Sequence, residues 1–236
     1  MGNLAIQLLC SIFFISLLFH TFIAETRQVG HETEYDSKWS KCCNGSMQSP
    51  INLLNKRVKM VSHLGRLDRD YKPSNLGWKS GAGTVEINGT EYVLQQCHWH
   101  SPCEHTINGR RHALEMHMVH KSQDGKVAVV GIIYKTGSPN SFLSSLSDHL
   151  RMVGGPKEAE KVVDLINPND IKIARKYYRY MGSLTSPPST ENVIWTISRK
   201  VMTVTKEQVK LVRVTVRNTF TTTNGRLVQL YEPDEK

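Results

Sequence analysis

Two Asn-Gly dipeptides, Asn88-Gly89 and Asn108-Gly109, each stand between runs of residues typical of extended strands. The first dipeptide separates residues 84–87 from residues 91–96, and the second separates residues 95–102 from residues 112–120. Because Asn-Gly readily adopts the positive φ angles of tight turns, the pattern predicts two successive antiparallel hairpins. A chain organised in this way folds around an antiparallel sheet.

The remaining elements fit the same sheet. Residues 127–134 form a continuous apolar run, which predicts a strand buried on both faces, and residues 193–204 predict another strand. Helices are predicted at 141–153, at 156–165 and after Thr205, where Thr205 and Gln208 have the spacing of a capping box. The sequence therefore predicts a mainly β (α+β) fold, a single domain with a large, mostly antiparallel, twisted central sheet and short peripheral helices.

The chain has 236 residues and a formal net charge of +9, which raises the question of nucleic-acid binding. Its densest basic runs, Arg110-Arg111 and residues 172–176, are short and interrupted, and no nucleic-acid motif accompanies them. The charge is better interpreted as a solvated basic surface than as a nucleic-acid interface. A hydrophobic fraction of 39% excludes a disordered chain.

Residues 1–24 contain no Asp, Glu, Lys or Arg, and residues 4–19 are apolar. This pattern predicts a secretory signal peptide at 1–24, followed by the domain at 25–236, with an uncleaved membrane anchor as the alternative. Secretion is consistent with glycosylation sequons at Asn44 and Asn88. Four cysteines follow this segment: Cys42, Cys43, Cys97 and Cys103. They do not have the spacing of a metal site, and the sequence leaves their disulfide pairing open.

Six of the ten histidines fall within residues 98–120. Side chains alternate along a strand, so His98 and His100 share one face, and His117 lies on the matching face of the partner strand. Three imidazoles can then converge on one point and leave a fourth position open, which is the pattern of a catalytic zinc site. Gln96 and Glu115 share these faces, each two residues from a proposed ligand, where they could hold the second ring nitrogen of an imidazole.

Two other interpretations of the cluster are weaker. Histidine rings can pack in a sheet without binding a metal, but three rings converging from two neighbouring strands favour ligation. A cupin site also begins His-x-His and continues to an acid such as Glu104. Cupins place glycines where this chain has Tyr92 and Arg111.

Four runs occur in order: QSPIN at 48–52, HWHSPCEHTING at 98–109, LEMHMVH at 114–120 and GSLTSPPSTENVIWT at 182–196. Together they make the chain similar to α-class carbonic anhydrases, particularly the plant members, over about residues 35–236. The resemblance implies a zinc enzyme that reversibly hydrates carbon dioxide to bicarbonate and a proton by zinc-hydroxide attack. It implies His98, His100 and His117 as the zinc ligands, with Gln96 and Glu115 orienting their rings.

The resemblance also implies the residues around the metal. Thr185 matches the hydroxyl that donates to a buried carboxylate, Glu104, and thereby orients the attacking hydroxide. Thr185 and the adjacent Ser186 are expected to contact substrate. An apolar wall for carbon dioxide is implied at Val119, Val129, Leu184, Val193 and Trp195. The other histidines of the cluster are expected to be structural.

The chain departs from the family in ways that affect turnover. The segment that usually carries the proton-shuttle histidine is missing, and no histidine occurs between His63 and His98. Because proton transfer by a positioned group typically contributes about 10²- to 10⁴-fold, we expect slow catalysis without a shuttle. Ser189 stands where secreted members usually have a disulfide cysteine. The alternative function is a catalytically weak zinc-binding or storage-type protein, and the alternative location, known for some plant relatives, is the chloroplast stroma.

Overall fold

The structure is a computed structural model that describes residues 45–61, 64, 67–73, 82–153, 166–219 and 229–230. Contacts divide the chain into two units, and the unit Ser46–Ser186 with Thr190–Lys236 contains all the elements given below. Of the other unit, Met1–Gly45 with Pro187–Ser189, only Gly45 and the short second piece are described. The signal peptide, Asn44, Cys42, Cys43 and the helix predicted at 156–165 lie outside the described residues.

The described elements are mostly short strands. The strands are β1 (Ile51–Leu53), β2 (Asp68–Tyr71), β3 (Gly83–Ile87), β4 (Thr90–His100), β5 (Thr106–Ile107), β6 (Arg110–Arg111), β7 (Leu114–Ser122), β8 (Val127–Thr136), β9 (Tyr177–Ser183), β10 (Glu191–Ser198), β11 (Met202–Val204) and β12 (Gln229–Leu230). The helices are α1 (Ser141–Ser145), α2 (Ser147–Val153) and α3 (Lys206–Thr219), with 3-10 turns at Asn55–Arg57 and Pro168–Asp170.

Eight strands form the main sheet in the order β2-β3-β4-β7-β8-β10-β9, with β11 pairing β8. All neighbours are antiparallel except β10 and β11, which run parallel to β8. The prediction of a large, mostly antiparallel sheet with few short helices is confirmed. A smaller sheet has the order β12-β1-β5-β6.

The two Asn-Gly turns have different positions in this topology. Asn88 and Gly89 adopt φ angles of 52° and 73° and join β3 to β4, as predicted. Asn108 and Gly109 also adopt positive φ, but they join β5 to β6 in the smaller sheet. β4 and β7 still pair directly, so the predicted pairing is correct although the turn belongs to a separate short hairpin.

β8 is buried on both faces, as its apolar run predicts. Val129 and Ile133 belong to one core cluster, which also contains Trp195, whereas Val130 and Ile132 belong to a second cluster that α1–α3 cover. The histidine site adjoins the first cluster. The strand predicted at 193–204 is instead two strands, because the exposed Arg199-Lys200 pair interrupts it.

Two helix predictions differ in detail from the structure. The predicted helix at 141–153 is two shorter helices, α1 and α2. The capping box is formed: the backbone N–H of Gln208 donates to Thr205 Oγ1 at 3.1 Å, and the backbone N–H of Thr205 donates to Gln208 Oε1 at 3.1 Å. The helix it begins spans 14 residues and is longer than expected.

One edge of β4 is only partly paired. β3 pairs with residues 90–93 of β4, whereas β7 on the opposite side pairs along residues 92–100. Within the described part of the chain, no strand pairs with residues 95–100 on the β3 side. Gln95 and Gln96 are accordingly exposed, and His98 and His100 are partly exposed.

Candidate metal centre

Three imidazoles converge where β4 and β7 run side by side. His98 and His117 are partners in the strand register, and His100 lies two residues further along the same face of β4. Ring centroids are separated by 4.9 Å for His98–His100, 5.2 Å for His98–His117 and 4.7 Å for His100–His117. One nitrogen from each ring lies within 4.8 Å of the other two, so the group can hold a metal ion.

Glu115 fixes the orientation of His117. Its Oε1 accepts a hydrogen bond from His117 Nε2 at 2.9 Å and another from His105 Nδ1 at 2.7 Å. Its Oε2 accepts from the backbone N–H groups of Glu104 and His105, both at 2.9 Å, and from Cys103 Sγ at 3.0 Å. A carboxylate that accepts from this many donors is held in one position. Because Glu115 bonds to Nε2 of His117, the other ring nitrogen, Nδ1, is left for a metal.

The network extends away from the histidines. His105 Nε2 lies 2.7 Å from the hydroxyl of Tyr180, which lies 2.8 Å from Ser49 Oγ. Ser49 in turn exchanges hydrogen bonds with Ser183. No sequence pattern selects these three residues for the network, although Ser49 lies within the QSPIN run and Ser183 within the run at 182–196. His105 makes these buried hydrogen bonds, and its purely structural role stays a prediction.

Burial and neighbouring groups shift the pKa values at this site. Burial, with the nearby His117 charge, lowers the pKa of His98 to about 3 and that of His100 to about 2, so both rings are neutral at pH 7. Burial opposes ionisation of Glu115, but His105 and His117 hold its pKa well below the usual value. Burial also lowers the pKa of His117, but the charge and hydrogen bond of Glu115 outweigh this effect, so the pKa of His117 is raised overall.

These residues fit a zinc ion. Neutral imidazole is a preferred zinc ligand, and His98 and His100 keep a lone pair at neutral pH. Nδ1 of His98 and Nε2 of His100 are buried and have no hydrogen-bond partner among the described residues. A metal would satisfy such nitrogens, and three rings leave the fourth position of a tetrahedral site open.

Gln96 does not make the contact predicted for it. The β4–β7 register shifts between Leu94 and Gln96, and the Gln96 side chain is exposed. It forms no hydrogen bond with another described residue, and His98 Nδ1 has no such partner. From Gln96 to His100 the register with β7 is unbroken, so Gln96 keeps the face that alternation assigns to it, and its role toward a ligand imidazole stays a prediction.

Glu104 and Thr185 are both buried, with 2% and 6% exposure. Glu104 Oε2 lies 3.4 Å from His100 Nε2 and 3.8 Å from His117 Nδ1, so this carboxylate faces the point where the imidazoles meet. Thr185 closely follows β9, and Ser186 beside it is exposed.

The predicted apolar wall is assembled around these groups. Val129, Val193 and Trp195 are each 1% exposed, and Val119 and Leu184 pack against the same core cluster. The Trp195 ring centroid lies 4.8 Å from that of His117. These residues from four segments therefore share one core cluster that meets His117 at Trp195, and their role as a wall for carbon dioxide stays a prediction.

A profile of the family described as Eukaryotic-type carbonic anhydrase matches residues 32–233. The chain belongs to this family. The chain is 52% identical to Alpha carbonic anhydrase 7 of Arabidopsis thaliana over 219 residues, covering 85% of this chain and 80% of the relative.

Two solved structures resemble this chain. Dioscorin complexed with ascorbate superposes with a TM-score of 0.72 at 39% identity, covering 83% of this chain and 85% of dioscorin. The α-carbonic anhydrase of Thermovibrio ammonificans, in complex with the inhibitor sulfanilamide, gives a TM-score of 0.68 at 30% identity. The match covers 81% of this chain and 86% of that enzyme. Both similarities extend over most of each chain, so the fold is that of an α-carbonic anhydrase.

Proposed function

We propose that this carbonic anhydrase holds zinc through His98, His100 and His117 and catalyses the reversible hydration of carbon dioxide to bicarbonate. The observation that carries the proposal is the convergence of three imidazole nitrogens within 4.8 Å beside a buried apolar wall. Bound there, Zn²⁺ supplies Lewis-acid chemistry that lowers the pKa of a coordinated water to about 7.

The chain's own residues bind and orient the reactants. The Glu115 hydrogen bond directs one nitrogen of His117 toward the other two histidines. Glu104 lies beside the same point, and Thr185 is proposed to donate its hydroxyl proton to this carboxylate. The lone pairs of the Thr185 oxygen then accept from the attacking oxygen and orient it. Because carbon dioxide is apolar, we propose that it rests against Val129, Val193 and Trp195.

Proton release is proposed to limit turnover. The reaction leaves a proton that must reach bulk solvent, and residues 64–97 contain no histidine. A high concentration of imidazole in the buffer can take the role of the absent group. We therefore expect slow hydration in a non-buffering medium and faster hydration with added imidazole.

One experiment tests metal and reaction together. Zinc content and the initial rate of carbon dioxide hydration are measured for the native chain, His100→Asn and, as a matched control, His112→Asn, which changes a histidine outside the site. We expect about one zinc per chain and imidazole-dependent hydration in the native chain and the control, and loss of both in His100→Asn. Zinc binding without hydration, even with added imidazole, would refute the proposed enzymatic activity. Absence of bound zinc would refute the proposed metal site.

A second candidate uses the same site for zinc binding without efficient catalysis, as a weakly active or storage-type protein. The exposed position of Gln96 favours it, because a ligand imidazole lacks the expected partner. The likeness to dioscorin is consistent with it. Stoichiometric zinc with negligible hydration under all buffers is the outcome expected for this candidate.

The location of the protein is also a proposal. We infer from the apolar segment at 1–24 that the chain enters the secretory route, with the chloroplast stroma as the alternative destination. No described helix is long and apolar enough to cross a membrane. Asn88 is exposed at the β3–β4 turn, where an enzyme could attach a glycan. The native chain and Asn88→Gln are expressed in plant cells, and their masses are compared before and after glycosidase treatment. A glycosidase-sensitive mass that is lost in Asn88→Gln would support both entry into the secretory route and glycosylation at Asn88.

A further inference from the structure

A cavity of about 630 Å³ lies along β9 and the segment that follows β1, and none of the residues proposed for carbon dioxide hydration lines it. Its volume falls within the usual range for small-molecule sites, about 300–1,000 Å³. The described lining residues include six cations and no carboxylate: Arg57, Lys59, Arg175, Lys176, Arg179 and Arg199. A positive cavity of this size can hold a small anion.

The segment that follows β1 forms one wall, on which apolar side chains lie beside Arg57 and Lys59. Val58, Met60 and Leu64 line the cavity and are 39%, 78% and 37% exposed. They are three of the five large hydrophobic side chains that are exposed in the described part of the chain. Exposed apolar side chains concentrated in a concave site indicate a surface that an apolar group covers.

Hydrogen bonds hold the two walls together. The Tyr177 hydroxyl donates to the carbonyl of Leu64 at 3.0 Å, and the Tyr178 hydroxyl donates to Asn55 Oδ1 at 2.6 Å. The backbone N–H of Arg199 donates to the carbonyl of Lys176 at 3.0 Å, which joins two cation-bearing segments. The cavity is therefore part of the folded structure, and both walls keep their positions relative to each other.

Arg179 is the most enclosed of the cations. Its guanidinium lies 5.1 Å from the centroid of the Tyr177 ring, and its buried Nε has no hydrogen-bond partner among the described residues. Arg179, Arg175, Lys176 and Arg199 form no ion pair with a described carboxylate. A guanidinium with a free donor beside unpaired cations can bind an anionic oxygen group.

We propose that this cavity binds a small organic anion whose flat apolar body packs on Val58, Met60 and Tyr177 and whose anionic oxygen group contacts Arg179 and the neighbouring cations. The site is separate from the zinc ligands, and it does not depend on carbon dioxide hydration. Inorganic phosphate lacks the apolar body and a neutral aromatic molecule lacks the charge, so each satisfies only half of the site.

Titration calorimetry with 2-naphthyl phosphate tests the proposal, with inorganic phosphate and neutral 2-naphthol as partial probes. We expect one binding site per chain, an affinity about tenfold or more above that of either partial probe, and weakening as salt rises. The double variant Arg179→Gln/Arg199→Gln should weaken binding by about tenfold or more. Lys210→Gln, which removes an exposed charge on α3, should not.

Additional variants separate anion binding from zinc binding and from unfolding. His98→Asn, which removes a proposed zinc ligand, should leave binding of the naphthyl phosphate unchanged, so failure of the zinc proposal does not affect this one. Thermal melting checks that every variant is folded. Equal affinity for 2-naphthol, or equal affinity in the double variant, would overturn the proposal. Binding that occurs only after removal of the acidic segment 231–236 would also overturn it, because the cavity would then belong to that segment.

Discussion

Nε2 of His117 donates a 2.9 Å hydrogen bond to Oε1 of Glu115, and both side chains are buried on β7. The bond determines which nitrogen of His117 faces His98 and His100. Oε1 of the same carboxylate also accepts a hydrogen bond from His105 Nδ1. Glu115 therefore links the three histidines to the hydrogen bonds that run through His105 to Tyr180. Glu115 is therefore placed to orient the His117 ring toward His98 and His100.

Glu115→Gln should weaken zinc binding by about 10- to 100-fold. The amide has nearly the same shape, but it lacks the charge that raises the pKa of His117 and holds its ring. Competition with a chromophoric chelator measures the affinity. Glu86→Gln, on the exposed face of β3, is the matched control and should bind zinc as the native chain does. Equal affinity in the two variants would contradict the role of Glu115.

Tyr180→Phe should lower the free energy of unfolding by about 1–3 kcal/mol, because His105 Nε2 and Ser49 Oγ each lose a buried partner. Tyr134→Phe is the comparison. Its hydroxyl is buried as well, but it contacts the Met116 sulfur at 4.0 Å, which is a weak interaction, so the cost should be smaller. Urea unfolding of the zinc-free chains measures both. A cost for Tyr134→Phe that equals or exceeds that for Tyr180→Phe would show that the Tyr180 network contributes nothing specific.

The convergence of His98, His100 and His117 was predictable because these residues are close in sequence and lie on neighbouring strands. Alternation along β4 places His98 and His100 on one face, and direct pairing with β7 brings His117 opposite His98. The apolar run of β8 and the capping box before α3 were also readable, because each depends on a few consecutive residues. Local periodicity thus predicts most of the sheet and the centre of the site.

The remaining features depend on contacts that no local pattern contains. Ser49 and Tyr180 are separated by 131 residues and meet only when the two ends of the network fold together. No described strand pairs with residues 95–100 of β4 on the β3 side, so Gln96 is exposed although alternation places it on the face of His98. The charged cavity likewise combines residues between 51 and 61, Leu64, residues 175–180 and Arg199, which no local sequence pattern links.

The stability of the fold should fall with acid through His120. Burial lowers the pKa of His120 from its ordinary value of 6.5 to about 4, so the unfolded chain binds this proton more readily than the folded chain between these values. Stability from this group is complete above about pH 6.5 and is lost as the pH falls toward 4. Each pH unit corresponds to about 1.4 kcal/mol, so the loss by pH 4 is about 3 kcal/mol.

The variant His120→Gln isolates this contribution. Unfolding free energies at pH 7 and pH 4 should differ by about 3 kcal/mol less in His120→Gln than in the native chain, because glutamine does not titrate. His112→Gln is the control, and it should stay close to native because His112 is partly exposed. A native pH dependence in His120→Gln would assign the acid sensitivity to other groups.

Gly182→Ala should be destabilising by about 1–3 kcal/mol, because overpacking a core forces neighbouring side chains from their positions. A Cβ at Gly182 would overlap Ser49 Oγ and would lie 2.7 Å from Tyr180 Cε2 and 2.9 Å from Trp195 Cδ1. Gly137→Ala is the milder comparison, since its Cβ would meet Thr203 Cγ2 at 3.0 Å. Thermal melting orders the two. A Gly137→Ala cost equal to or greater than that of Gly182→Ala would show that the space around Ser49 can adjust.

The half-paired edge of β4 should be visible in amide hydrogen exchange. β7 has strand partners on both sides along residues 115–121, whereas residues 95–100 of β4 are paired only with β7. Amides that point to the unpaired edge lack a strand acceptor and should exchange quickly, while those of β7 should exchange only when the sheet opens. Mass spectrometry of peptic fragments should therefore show partial fast exchange over 95–100 and slow exchange over 115–121. Equal protection of both segments would mean that another part of the chain covers this edge, and the metal centre would then be enclosed on the β3 side as well.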